Sequence, residues 1–571
     1  MNSETASRFA LPFLLVLGTF LFTAEALAAP TENSRAEASA AIAIPDPYAA
    51  QVAKDILMQG GNAVDAAVAT GFALAVTYID AGNIGGGGFM LTHMDGESTF
   101  LDYREKAALT AHRDMYLDER GEVIENATLI GAQAAAVPGT VAGLWAAHQR
   151  HGSLPWRDLI APAIALARDG FMPAPMLVAE IHANIDWFGE KTNFNDYFAN
   201  ISVTELFKQP ELAATLERIA EQGPDDFYRG ETARLIVAQM EKSDGIISLE
   251  DLDSYEAVWR DPLQAGWRDH QVLSSPPPSS GGFGVIQLLK MKDQLATHFE
   301  GVEHNSHQYI HLVAEMEKRV FADRGEYLGD SDYIEVDIET LISDDYIARR
   351  AQEVNPRTIS NLDGVSPGLT SPNTTHYSII DQWGNAVSNT YTINWAFGSG
   401  VVVDGAGFLL NNEMDDFSAK PGSPNVYGVV GNSANEIQPG KRPLSSMSPT
   451  ILLKDDKVMM VLGTPGGSTI FTSVFQTIVN IIDFQMSPLE AVGATRFHHQ
   501  LLPPDLITMS IATPLPEETI AALGERGYRV EPHEWEFGDV QVIWREGNEL
   551  LPAADPRDRG VGEVFVVPVV E

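Results

Sequence analysis

The chain has 571 residues, 44% hydrophobic and 20% charged, proportions that exclude a wholly disordered chain and a multi-spanning membrane protein. Its 78 acidic against 37 basic residues give a formal net charge of -41, which argues against nucleic acid or an anionic membrane as the main partner. It has no cysteine, so disulfides, thiol nucleophiles and thiolate metal sites are excluded and stability must come from core burial.

Arg8 precedes the apolar run FALPFLLVLGTFLF, too short for a comfortable bilayer span, and Ala26-Leu27-Ala28 forms a small-x-small cleavage site. Residues 1–28 therefore read as a secretory signal peptide, and the mature protein is expected to be periplasmic or secreted and free of the membrane. Residues 29–40 read as an unstructured polar tether. From Pro47 the apolar positions Ala49, Val52, Ala53, Ile56 and Leu57 share one helical face, which Gly60-Gly61 ends. NAVDAAVATGFALAVTY is apolar on most sides, the composition of a buried helix. The glycine loop Gly82 to Gly88 follows. With no Lys-Ser/Thr after it and the strand-loop-helix order reversed, it reads as a tight turn and not as a phosphate cradle.

FMLTHM and STFLDYR read as strands. Between about 110 and 360 helical patterns alternate with Pro- and Gly-marked turns, for instance PWRDLIAPAIALARDG, which Gly170 caps. The run SSPPPSSGGFG, 274–284, reads as a surface connection in preference to the border of a site. After 371 the texture changes to short β-like runs: HYSII, AVSNTYTI, GFLLNN, PTILLK and VMMVLG. Helix and strand patterns in long blocks predict a layered α+β architecture and not βαβ repeats.

Residues 372–394 contain two β-like runs joined by Gln382-Trp383-Gly384, with Gly where a three-residue hairpin loop needs a left-handed residue. If Asp381 pairs with Asn385, Thr374 stands opposite Thr392, with Asn394 nearby. A Thr-Thr cross-strand pair is ordinary in a sheet and proves nothing alone.

The strings GGNAVDAAVA, AGNIGGGGFML, DYRE, PGTVAG, TTHYS, LLNNEMDDFSAKPG, KRPLSSMSPT, GTPGGS, TRFHHQ and ADPRDRG, in this order over nearly the whole mature chain, carry more. In them the sequence resembles the γ-glutamyltransferase family of N-terminal nucleophile hydrolases. The resemblance implies a four-layer αββα sandwich, self-cleavage before Thr374, a large subunit of 29–373 and a small subunit of 374–571 paired as a heterodimer. It implies an enzyme that cleaves the γ-glutamyl amide of glutathione and related peptides through an ester on Thr374, resolved by water or an acceptor amino acid or peptide. No cofactor is expected.

A threonine hydroxyl is a poor nucleophile without an adjacent base, and an N-terminal threonine carries one as its own α-amine, with an ordinary pKa of roughly 8. An internal threonine has an amide there, so this logic demands cleavage after Asn373. The family pattern maps the grip on the substrate's carboxylate to Arg104 with Ser445 and Ser446, and the grip on its ammonium to Glu413, Asp416 and Asn394. It assigns Thr392 to assist Thr374, backbone N–H groups of Gly466 and Gly467 to the oxyanion, and segment 421–440 with Tyr427 to a lid.

His498-His499 are adjacent and lack metal-ligand spacing, so no metal is expected and both read as structural. Trp383 and Trp395-Ala396 depart from the family pattern, and Trp395 is positioned to narrow the leaving-group or acceptor side. The rival readings are a cephalosporin-acylase-like amidase favouring glutaryl groups and an unprocessed γ-glutamyl peptide-binding protein.

Overall fold

The computed structural model describes residues 37–361, 374–420 and 433–568, apart from 502, 534 and 537. The expected signal peptide, the Asn373–Thr374 bond's N-terminal side and Tyr427 lie outside the described residues.

Two antiparallel sheets form the centre. The first has seven strands in the order Val561–Pro568, Glu37–Ile44, Thr374–Ile380, Ala386–Thr392, Gly87–Met94, Glu97–Tyr103 and Val258–Arg260. The second has six, in the order Glu549–Ala554, Gln541–Glu546, Lys457–Gly463, Thr450–Lys454, His270–Ser274 and Leu263–Trp267. Phe89, Leu91, Ile380, Ile451, Val461 and Ile543 fill the space between them. Helices cover both outer faces, Pro47–Met58 and Ala63–Thr77 against the first sheet, Gly281–Gln294 and Ile470–Ile482 against the second. This is the expected αββα layering. Among the described residues no helix is long and apolar enough to cross a membrane.

Local sequence explains the central elements. Asn62 accepts from the N–H groups of Val64 and Asp65 while Asp65 reaches back to Asn62, a capping box that starts the helix Ala63–Thr77. Every residue of that helix is buried, which is why its sequence is apolar on all sides. The hairpin between the third and fourth strands closes as its turn requires: Gly384 has φ 88°, and Asp381 Oδ1 accepts from the N–H groups of Trp383 and Asn385 at 2.9 and 3.0 Å. The resulting register pairs Thr374 with Thr392. Asp381 Oδ2 also accepts from the Ala63 N–H at 3.0 Å, tying the hairpin to the start of the buried helix.

Three sequence expectations are corrected. The tether ends earlier than expected, because Glu37 already begins a strand held between two others. GFLLNN is not a regular strand: Val402 and Leu409 form one isolated bridge, and the two asparagines bond to backbone carbonyls of other segments. The 274–284 run is not a surface connection. Ser274, Ser275, Ser279 and Ser280 are buried, their hydroxyls hydrogen-bonded to backbone carbonyls of 445–449, so its polar composition concealed its depth.

The glycine loop has a sharper purpose than a turn. A Cβ on Gly86 would lie 2.0 Å from the carbonyl oxygen of Thr392, so only glycine lets this loop press against the strand end. Gly86→Ala is expected to lower unfolding free energy by about 1–3 kcal/mol, measured by denaturant titration; an unchanged midpoint would mean that the strand end yields.

Candidate active site

Thr374 opens its strand at the edge of two cavities. Its hydroxyl donates to Thr392 Oγ1 at 3.2 Å, and Thr392 Oγ1 also accepts from the Asn394 N–H at 2.7 Å. Asn394 takes this inward position with φ 73°, its side-chain amide donating to the Asn412 carbonyl at 3.0 Å. The hairpin register thus delivers three polar groups to one strand end.

On one side of Thr374 lies a cavity of about 30 Å³, lined among others by Arg104, Arg324, Thr392, Asn394, Glu413, Asp416, Ser445, Ser446 and Gly467. It has room for roughly one water, so the charged side chains themselves fill the space. Arg104, 1% exposed, ion-pairs with both Glu413 and Asp416 and lies 3.4 Å from Glu105 Oε2. Burial opposes its charge, but the carboxylates of Glu413, Asp416 and Glu105 hold its pKa above the ordinary value. Burial pushes Glu413 well up and Glu105 up to about 7, and it raises Asp416, even though Arg104 pulls the other way in each.

Asp416 and its neighbour face different ways. Asp415 turns away and accepts from Thr128 Oγ1 at 2.5 Å, while Asn411 accepts from the Ala136 and Glu413 N–H groups at 2.9 and 3.0 Å, fixing the short helical turn Glu413–Asp416. Ser445 and Ser446 are held by the buried 274–284 run: Ser445 N–H donates to the Pro278 carbonyl and Ser280 N–H to the Ser445 carbonyl, each at 2.8 Å.

Gly466 and Gly467 have φ 138° and 54°, and a Cβ on Gly466 would meet Thr469 Oγ1 at 2.4 Å. Neither N–H meets a backbone acceptor among the described residues. Gly467–Thr469 runs directly into the helix Ile470–Ile482, whose N-terminal, partly positive end thereby adjoins the small cavity.

On the other side of Thr374 is a wider cavity of about 470 Å³. Trp395 and Trp535 wall it as an edge-to-face pair with ring centroids 6.0 Å apart, and Asp80, Asp539, Arg557 and Arg559 add charge. Trp383 sits far off, exposed in the hairpin turn.

Among the described residues no histidine bonds to the Thr374 hydroxyl. His376, two residues along, is buried between Thr390 and Ser378, and burial lowers its pKa to about 3. His498 is held by Thr472 and Gln500 and lowered by burial to about 3; His499 Nδ1 accepts from the Leu501 N–H at 3.0 Å.

Two residues of the small cavity's surroundings had been assigned no part: Glu105, within the quoted DYRE, and Arg324. The available signal for Arg324 was its place four residues after Val320 and three after Phe321, an arginine on the buried stripe of a helix.

Three comparisons bear on this geometry. A family model described as Gamma-glutamyltranspeptidase matches residues 49–565. A glutathione hydrolase proenzyme of Pseudomonas aeruginosa is 56% identical over 524 residues, 92% of this chain and 94% of that one. Among solved structures, a gamma-glutamyltranspeptidase from Pseudomonas nitroreducens complexed with L-DON is 56% identical with a TM-score of 0.55, covering 56% of this chain and 95% of that one. A cephalosporin acylase from Bacillus halodurans superposes with a TM-score of 0.79 at 27% identity, covering 95% and 99%.

Thr392→Val keeps the shape and removes the hydroxyl that Thr374 and the Asn394 N–H share. The cleavage before Thr374 that the family resemblance implies is expected to slow by roughly 100-fold or more, followed as the appearance of two fragments on a denaturing gel; wild-type kinetics would remove Thr392 from the site.

Proposed function

The chain belongs to the gamma-glutamyltranspeptidase family and is a γ-glutamyltransferase and glutathione hydrolase of the N-terminal nucleophile class, and within that activity we propose that Thr374 is the nucleophile, exposed by self-cleavage. One observation carries the residue assignment: the Thr374 hydroxyl adjoins a buried cavity whose wall bears both a guanidinium and carboxylates, the two grips a γ-glutamyl zwitterion requires.

In the precursor, Thr374 Oγ1 attacks the Asn373 carbonyl, the peptide bond shifts to an ester, and water hydrolyses that ester. This leaves 29–373 and 374–571 as separate but associated chains, and gives Thr374 a free α-amine. The solved Pseudomonas nitroreducens chain supports two subunits, because nearly all of it is matched by little more than half of this sequence. The word proenzyme in the curated relative's name agrees.

In the mature enzyme the α-amine takes the proton from Thr374 Oγ1, which attacks the γ-glutamyl carbonyl. The N–H groups of Gly466 and Gly467 receive the oxyanion, and such a donor is typically worth about 3 to 4 kcal/mol. The amine product leaves toward the wider cavity, and water or an acceptor amine enters by the same side to resolve the ester. Trp395 and Trp535 then bound the leaving-group and acceptor space.

The free pocket is self-neutralised. A ligand ammonium replaces Arg104 as the partner of Glu413 and Asp416, which releases the guanidinium to fork onto the ligand's α-carboxylate beside Ser445 and Ser446. Ions are exchanged for ions, so desolvation is shared between enzyme and ligand. This ammonium grip separates the reading from the glutaryl-acylase alternative, whose substrate lacks the amine. Secretion to the periplasm or exterior remains part of the proposal, resting on the segment 1–28.

Thr374→Ala should yield one uncleaved chain without hydrolase activity; two bands from that variant would sink the nucleophile assignment. The functional test compares initial rates on a chromogenic γ-glutamyl anilide and its glutaryl counterpart, with and without a dipeptide acceptor. Wild type should prefer γ-glutamyl strongly, and Asp416→Asn should weaken that preference by roughly 10-fold or more; unchanged selectivity would take Asp416 out of the ammonium grip.

A further inference from the structure

Arg324 belongs to the helix His307–Tyr327 and is 6% exposed, yet it has no carboxylate within ion-pair distance among the described residues. Its guanidinium Nε donates to Ser280 Oγ at 2.9 Å and Nη2 donates to Ser446 Oγ at 3.2 Å. An isolated buried cation is costly unless something compensates it. Burial brings its pKa down to about 10, and the charge of Asp416 offsets part of that fall.

The hydroxyl network around it has a direction. Ser280 Oγ receives the Arg324 Nε proton and gives its own to the Ser445 carbonyl at 2.8 Å. Ser446 Oγ receives the Nη2 proton, and its contact with Ser280 Oγ is 3.5 Å, at the limit of a hydrogen bond. Arginine can only donate, so the Ser446 hydroxyl is obliged to turn its own proton away from Arg324. Apart from Ser280 Oγ at that 3.5 Å limit, the open direction is the cavity that Ser446 and Arg324 both line.

We propose that Arg324 is a positioning residue for the α-carboxylate of the ligand: it aims the Ser446 hydroxyl as a donor into the cavity and supplies the second positive charge of the carboxylate subsite. The proposal rests on the γ-glutamyl reading of that cavity. Arg104 is engaged by Glu105, Glu413 and Asp416, whereas Arg324 has no carboxylate in ion-pair contact among the described residues, so its charge is available to a ligand carboxylate. Arg324 reaches the site through Ser446 Oγ, so its effect is on recognition of one end of the ligand and not on the reacting carbonyl.

The test is kinetic, on the cleaved enzyme. Arg324→Gln should raise KM for the γ-glutamyl anilide, and the competitive inhibition constant of L-glutamate, by roughly 10- to 100-fold. The turnover number should change less than about threefold, and the inhibition constant of 4-aminobutyrate, which lacks the α-carboxylate, should not move. Arg324→Lys keeps the charge without the fork and should recover part of the loss. If Arg324→Gln does not fold, Arg324→Lys carries the test, with both γ-glutamyl KM and glutamate inhibition weakened by at least about threefold and 4-aminobutyrate unmoved. A fall in turnover with KM intact, or equal weakening of both inhibitors, overturns the inference and leaves the pocket reading standing. Wild-type enzyme that binds 4-aminobutyrate as tightly as L-glutamate overturns the pocket reading and this inference with it.

Discussion

The register of one hairpin governs this molecule. Side chains in a strand alternate faces, so a slip of one residue would turn Thr374 away from its cavities and Thr392 with it. Gly384 and Asp381 fix the turn at one end, Gly86 fits under the Thr392 carbonyl at the other, and neighbouring strands from 37–44 and 87–94 hold both edges. The position of Thr374 is therefore a property of the whole central sheet, and the loops around it only furnish the walls.

Those walls follow from electrostatics in a dry place. A buried guanidinium with buried carboxylates is stable only while each has a partner, and the free site meets that condition by pairing Arg104 with Glu413 and Asp416. A ligand that offers one ammonium and one carboxylate can replace these pairings without stranding a charge. A ligand with only one of the two leaves a partner unmatched, and on the proposed reading selectivity arises from that mismatch more than from shape.

Legibility in the sequence followed interaction range. The buried helix Ala63–Thr77, the cap at Gly170 and the Thr374–Thr392 register depend on neighbours within about twenty residues, and turn chemistry with periodicity exposed them. Arg104, Glu413, Asp416, Ser445, Ser446 and Gly467 converge from distant segments on the small cavity, and Gly466 on the wider one; only the resemblance to a known family named them before the fold joined them. What stayed hidden was polar burial. The serines of 274–284 have the composition of a surface loop, and their hydroxyl bonds to 445–449 are invisible until the second sheet is assembled. Arg324 was missed because an arginine's burial can be judged only from the partners around it. GFLLNN read as a strand because its apolar run says nothing of Asn411, whose amide is committed to Gly85 and Ala136.

The strand order also interleaves the two sides of position 374. In the first sheet three pairings join strands before it to strands after it, Val561–Pro568 with Glu37–Ile44, Glu37–Ile44 with Thr374–Ile380, and Ala386–Thr392 with Gly87–Met94; the second sheet adds Thr450–Lys454 with His270–Ser274. A cut before Thr374 severs the chain but none of these ladders, so the product inherits a topology woven while the polypeptide was continuous. Once such a pair is unravelled, the interleaved order must be regained by two molecules meeting in solution, each with unsatisfied strand edges that favour aggregation. The mature form would then be held by the height of its unfolding barrier and not by a reversible equilibrium, a protein that persists by never coming apart.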